Sequence, residues 1–224
     1  MSTGLKKKGA TQTFAVADVS RKPQQGRSKA SLERMLVAAR DLMLERGSEE
    51  FTLQEVSERG QVSIGSIYLR FESKDNLVRG VIAEVLDALR AEETALLAKL
   101  GKDCPDLDSF VPAYVEGYAE LLRRHAPLLR MTMERAVFDP LVSGPGKENA
   151  LRAEADATEA FLRHSDQFGG SDHSVKAQSA YHIIFATLAR QLSLGSTGES
   201  AHGYDWILLK RELGRMCLAY FYAD

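Results

Sequence analysis

The sequence predicts an all-α protein of about nine helices, a small bundle in front and a larger one behind. Three observations carry this. Apolar residues recur every three to four positions from Ser28 almost to the end of the 224-residue chain, the period of helices with one buried face. The stretches between are Gly and Pro turn chemistry, with no alternating strand run and no internal repeat. Ser and Thr residues placed as N-caps stand ahead of several periodic segments. With 44% hydrophobic and 27% charged residues, the composition suits one large core or two small ones and excludes a collagen, a disordered tail and a disulfide scaffold.

Residues 1–27 show no period and carry six Lys/Arg against Asp18, so they read as a flexible basic arm. From Ser28, the spacing of Leu32, Leu36, Ala39 and Met43 predicts an amphipathic helix that Gly47 ends. Next, Thr52 and Glu55 form a capping box, with Phe51 and Val56 in the staple positions, and predict a helix from Leu53 to Arg59 stopped at Gly60. Ser63 caps a further short helix to Arg70, stapled by Val62 and Ile67; the pair reads as helix, tight turn, helix. Ser73 then caps a long helix whose stripe runs Leu77, Val81, Val85 (or Ile82), Leu89 and Leu96 towards Leu100.

Behind the break at Gly101–Pro105, helical rhythm predicts segments 107–124, 126–138, 147–168, 174–194 and 204–222. The breakers between them are Pro127, Pro140, Gly144-Pro145-Gly146, Gly169-Gly170 and the Gly-rich stretch 195–203.

Charge is unevenly distributed. The formal net charge is −2, yet the residues through Gly80 hold 14 Lys+Arg against 10 Asp+Glu, which leaves 15 against 21 for the rest. The front is basic and the back acidic. Cys104 and Cys217 have no metal or redox spacing and read as reduced packing residues. No apolar run has the length of a membrane span or a signal-peptide core, so a cytoplasmic protein is expected. No GxSxG, P-loop, GxGxxG or HExxH occurs and the five histidines match no zinc spacing, so neither an enzyme, a cofactor nor a metal site is expected.

The stretch Thr52-Leu-Gln-Glu-Val-Ser-Glu-Arg-Gly-Gln-Val-Ser-Ile-Gly-Ser-Ile-Tyr-Leu-Arg-Phe-Glu-Ser-Lys-Asp-Asn-Leu77 resembles the DNA-binding signature of the TetR family of transcriptional regulators. The resemblance is strong over about residues 28–80. It implies a helix-turn-helix DNA-binding domain at 28–75, with Ile64–Arg70 as the recognition helix, and a ligand-binding and dimerisation domain at 76–224. The physics agrees. Seven residues make a helix only ~10 Å long, useful as a probe held by its neighbours, and the major groove is about 12 Å wide. On a helical wheel Ile67 and Phe71 share the inward face, while Gly65 and Leu69 point away from it.

Candidate DNA-contacting residues follow. Gly65 lets the backbone come close to DNA. Tyr68 matches the family's phosphate-contacting tyrosine. Lys74 opposes the macrodipole at the start of the long helix, which favours a phosphate partner. Ser66 faces a base edge or a phosphate, whereas Ser63 caps its helix. Ile64 and Leu69 depart from the family pattern, where Lys and an aromatic or His are frequent. Neither donates a hydrogen bond; both can pack on thymine methyls, and Ile64 can equally belong to the core. Arg70 is the strong guanine reader in the segment. Thr52 and Gln54 add phosphate contacts at a helix N-terminus. Arg21, Lys22, Arg27 and Lys29 follow the minor groove or backbone, or serve as a solubilising tail.

For the rear domain the resemblance implies a ligand pocket and a homodimer built on the last two helices. Tyr181–Ala189 is apolar nearly all round and the final helix has a broad apolar stripe, so both need cover. Tyr114, Tyr118, Leu122, Met131, Met133, Phe138, Phe161 and Phe185 either line a cavity or fill the core. Arg130 and Glu134 stand in i, i+4 register as a surface pair. The expectation is a ligand-responsive regulator, a repressor binding a palindromic double-stranded DNA operator as a dimer and answering a small-molecule inducer. The alternative is a helical small-molecule-binding protein or adaptor with little specific DNA binding.

Overall fold

The computed structural model describes residues 15–20, 26–195 and 204–224. These contain nine α-helices and one 3-10 turn: α1 (Val16–Val19), α2 (Gly26–Arg46), α3 (Leu53–Gly60), α4 (Ile64–Arg70), α5 (Lys74–Asp103), α6 (Leu107–Ala136), α7 (Pro140–Leu162), the 3-10 turn Ser165–Gln167, α8 (His173–Gln191) and α9 (Trp206–Tyr222). No strand occurs among the described residues, so the fold is all-α with a helix-turn-helix near its N-terminus.

The front helices begin where their caps direct. Thr52 Oγ1 accepts the Glu55 amide at 3.2 Å and Glu55 Oε2 accepts the Thr52 amide at 2.7 Å. Ser63 Oγ accepts the Ser66 amide at 3.1 Å, and Ser73 Oγ that of Asn76 at 3.2 Å. Each cap satisfies an amide that a first turn leaves orphaned, for roughly 1 kcal/mol. Gly47 takes φ +61° just past α2. In the turn between α3 and α4 the left-handed residue is Gln61, at φ +49°, and Gly60 is still helical. What Gly60 supplies is clearance, because a Cβ there would lie 3.0 Å from the Arg34 carbonyl oxygen of α2.

Val56, Ile67, Phe71 and Leu77 are fully buried and, with Leu36 and Met43, lock α2, α3 and α4 onto α5. At 30 residues α5 is ~45 Å long. It meets α2 around Gly80, whose Cβ position lies 3.0 Å from Leu36, and α6 where Leu96 faces Gly117. One apolar cluster therefore runs from Met35 to Phe221 through both bundles.

Several boundaries differ from the sequence reading. Residues 107–136 form a single helix with Pro112 and Pro127 inside it. Each interior proline loses a hydrogen bond and costs ~3 kcal/mol. Around Pro127 the neighbours Leu122, Ala126, Leu128, Leu129 and Met131 are all buried, and their packing outweighs that loss. Pro140 starts α7 instead of breaking a helix, its missing N–H costing nothing in a first turn, and Asp139 caps it. The helix continues through Gly144-Pro145-Gly146 and ends at Leu162, with the 3-10 turn occupying part of the stretch read as helix up to Phe168. Within the region read as an aperiodic arm, Val16–Val19 form one helical turn against α5, too short to show a period. Arg21 and Lys22 lie outside the described residues; Arg27 and Lys29 fall in the first turn of α2. Cys104 and Cys217 are free and buried, and burial pushes the Cys217 thiol up to about 11.

Candidate nucleic-acid interface

Helix α4, the second helix of the helix-turn-helix, presents two faces. Ile67 and Phe71 are fully buried, whereas Tyr68 and Leu69 are 55% and 72% exposed. A Cβ built on Gly65 meets nothing within 4 Å, so the start of the helix is open as well. Gly65, Tyr68 and Leu69 thus form one continuous outward strip, while Ile64 is half-buried against the core.

The polar candidates are more committed than the sequence suggested. Ser66 Oγ is 2.7 Å from Ser63 Oγ, so its hydroxyl already has a partner beside the cap. Arg70 is folded back to 8% exposure and is not without a partner. Lys74 Nζ donates to the backbone carbonyls of Glu49 at 2.6 Å and Phe51 at 3.0 Å, and sits 4.9 Å from the Phe51 ring centroid. Its charge therefore holds the loop that leads into α3. Thr52 and Gln54 are exposed at the start of α3, though the Thr52 hydroxyl donates to Glu55 at 2.9 Å and the Gln54 amide to Glu58 at 3.0 Å. Arg46 pairs with Glu55 and Arg59 with Glu45, which pins α3 to the end of α2. The Arg46 hydrogen bond, helped by those from Thr52, lowers Glu55 to about 2.

Beneath this domain lies a charge cluster that sequence reasoning missed. Arg135, near the end of α6 and 4% exposed, pairs with Glu49 of the α2–α3 loop, with Asp75 at 2.8 Å and with Asp139 at 2.8 Å. Arg79 of α5 reaches the same Asp139 oxygen at 2.8 Å. Burial by itself would raise Asp139, but the hydrogen bonds from Arg79 and Arg135 hold it below the usual carboxylate range. The available signal was a charged residue on the buried stripe of a helix, four after Met131. The i, i+4 pair read there instead, Arg130 with Glu134, does not form: Arg130 donates to the Leu192 carbonyl at 2.9 Å.

The rear helices enclose a cavity of about 210 Å³. It is walled by α5, α6, α7 and α8, with Tyr118, Leu122, Met133 and Phe185 among its lining. The other four aromatic and Met candidates lie elsewhere. Tyr114 lines a separate void of about 10 Å³, Met131 is buried core, and Phe161 packs with Phe110, Tyr114 and Phe221 at ring separations of 5.7, 4.9 and 5.2 Å. Phe138 is 72% exposed, because it sits in the short link after α6 instead of on a helix face. Glu93 joins the cavity lining although 6% exposed; it is paired with Arg152 at 2.6 Å, and burial raises it against that pull. Its signal in the sequence was a carboxylate four residues after Leu89 on the apolar stripe of α5.

On the outside, α8 and α9 leave Val175, Ile183, Ile207 and Met216 at 48–72% exposure. Among the described residues no helix is long and apolar enough to cross a membrane, and no group of three or more His, Cys, Asp or Glu is placed to hold a metal.

Residues 35–81 match the family model for bacterial regulatory proteins, tetR family. No curated protein matches the chain. Among solved structures, a transcriptional regulator from Mesorhizobium loti assigned to the TetR family superposes with a TM-score of 0.66 at 16% identity, over 88% of this chain and 97% of that one. A transcriptional regulator from Cytophaga hutchinsonii gives 0.63 at 16% identity, over 87% and 100%. A TetR transcription regulator from Haloarcula marismortui gives 0.62 at 13% identity, over 86% and 97%. At such identities the likeness is one of fold; within that fold, residues 35–81 carry the helix-turn-helix segment described by the family model for bacterial regulatory proteins, tetR family.

Proposed function

We propose that the protein is a ligand-responsive transcriptional repressor that binds a palindromic operator as a homodimer. The observation that carries this is the outward strip of α4: an open Gly65 beside exposed Tyr68 and Leu69, on a helix fastened from behind by Ile67 and Phe71. In this reading residues 28–75 are the DNA-binding domain. Tyr68 donates to a phosphate, Gly65 lets the backbone approach, and Leu69 packs on a thymine methyl. Thr52 and Gln54 lie against the backbone at the start of α3. Arg70 and Lys74 act indirectly, by holding α4 and the preceding loop in place.

Residues 76–224 are the ligand-binding and dimerisation domain. The exposed apolar faces of α8 and α9 support a twofold interface between two copies of the chain. The cavity supports an inducer site. Thr132, Met133 and Ala136 of α6 line it, next to Arg135, whose ion pairs reach the loop ahead of α3 and the start of α5. A ligand that binds two positions of α6 unequally therefore shifts the population of two positions of the DNA-binding domain.

The test is a fluorescence-anisotropy titration of the full chain against DNA flanking its own gene, at several salt concentrations, with shuffled DNA as control. Salt-dependent binding that survives competitor, with two protomers per site, is expected. Binding no better than to shuffled DNA would favour the second reading, a helical small-molecule-binding protein with little specific DNA binding. The specific observation behind that reading is the committed state of Ser66 and Arg70, which leaves α4 few groups to read base edges.

A further inference from the structure

The cavity between α5, α6, α7 and α8 is walled chiefly by hydrocarbon and rings, among them Leu86, Leu122, Leu129 and Phe185. Set into this wall is the carboxylate of Glu93, 6% exposed. A carboxylate in such surroundings needs donors. Arg152 Nη2 supplies one, to Oε2 at 2.6 Å, and among the described residues no hydrogen bond reaches Oε1. Nor is Arg152 a countercharge for Glu93 alone. Its Nη1 is bound to Asp156 at 2.7 Å, so two carboxylates share one guanidinium and one negative charge is left in excess.

The placement sharpens this. Glu93 lines both the large cavity and the small void, whereas Arg152 lines only the small void. A molecule in the large cavity therefore meets the carboxylate and not the guanidinium. Lys147, the basic residue of the lining, is exposed at the rim, where water screens it. The Tyr118 and Tyr181 hydroxyls are 3.5 Å apart, at the limit of a hydrogen bond, and both keep lone pairs for a donor.

Resting on the reading of this cavity as the regulator's ligand site, we propose that it takes a compact apolar organic cation of the alkyl- or aralkylammonium class, whose N–H donates to Glu93 Oε1. A carboxylate or phosphate ligand would set a second anion against Glu93 in a poorly solvated wall. A neutral hydrocarbon would leave Oε1 without a donor. Size agrees, since an apolar cavity of about 150 Å³ accepts benzene; one of about 210 Å³ accepts a single ring with a short chain.

The test titrates the full-length protein with three probes of one shape: 2-phenylethylammonium, phenylacetate and propylbenzene. The ammonium binds at least about tenfold more tightly than either of the others, as a charge-assisted hydrogen bond requires. Glu93→Gln abolishes that preference while propylbenzene affinity is retained, which also verifies that the variant cavity is folded. Should the variant not fold, the order of the three probes on the wild-type protein decides by itself. Phenylacetate or propylbenzene binding as tightly as the ammonium overturns the cation assignment and leaves the cavity a ligand site. No binding of any probe at millimolar concentration overturns both the assignment and the reading of the cavity.

Discussion

Arg135 Nε donates to Asp139 Oδ2 at 2.8 Å across the junction of α6 and α7, with the two side chains 4% and 3% exposed. The same guanidinium pairs with Glu49 and Asp75, so one side chain ties the loop before α3 and the first turn of α5 to the cap of α7. Replacing it by alanine leaves Asp139 a buried anion with Arg79 as its remaining countercharge. Arg135→Ala should cost about 3 kcal/mol, measured as the shift in urea unfolding. A shift below about 0.5 kcal/mol would mean that the pairs only offset their own desolvation.

Gly65 separates stability from recognition. Its Cβ position is open and alanine is the better helix former, so Gly65→Ala should raise stability by about 0.5–1 kcal/mol. If the backbone there closes on DNA, the same variant loses operator affinity by roughly tenfold or more, since an added methyl holds the surfaces apart. Unchanged affinity would remove Gly65 from the interface.

Lys74 offers a contrast. Its ammonium already serves two carbonyls, and Lys74→Ala should destabilise the protein by about 2 kcal/mol through loss of charge-assisted hydrogen bonds. The salt dependence of DNA binding should stay as it is. A fall of about one in the slope of log affinity against log salt would place the ammonium on a phosphate.

Glu55 titrates from about 2 in the fold, held down by Arg46 and Thr52, against 4.5 unperturbed. A depressed carboxylate contributes stability that is present above the unfolded value and lost as pH falls through the folded one. Glu55→Gln should therefore unfold at lower urea than wild type at neutral pH. The gap should close between about pH 4.5 and 2. A gap independent of pH would mean that the effect is steric and not ionic.

Met216 is 67% exposed on α9 and Ile207 on the same helix is 72% exposed. Met216→Glu should convert the expected dimer to monomer in sedimentation equilibrium, with helix content unchanged by circular dichroism. A variant as dimeric as wild type would move the interface away from α9.

The front domain was legible in the sequence because its signals are local. Thr52, Ser63 and Ser73 cap their helices through bonds spanning three residues, and the inward face of α4 follows from the helical period alone. The outward exposure of Gly65 and Leu69 could be read in the same way. The prolines misled for the converse reason. Pro127 breaks a helix by local rules, and only the burial of Ala126, Leu128 and Leu129 in α6 overrules them.

By itself, then, the sequence determined the all-α class, where the helices of the front bundle begin, which face of α4 turns outward and which family's motif the segment resembles. Periodicity and capping act within a few residues, so no partner had to be known. Tertiary structure alone decided that Lys74 turns to the chain's own groups and Arg70 folds back, that Arg135 gathers carboxylates 60 and 86 positions away, and that Glu93 stands in a cavity wall beside an arginine 59 residues on. A charged side chain takes its partner from whatever the packed helices bring within about 3–4 Å, and that distance is set by the fold and not by spacing along the chain.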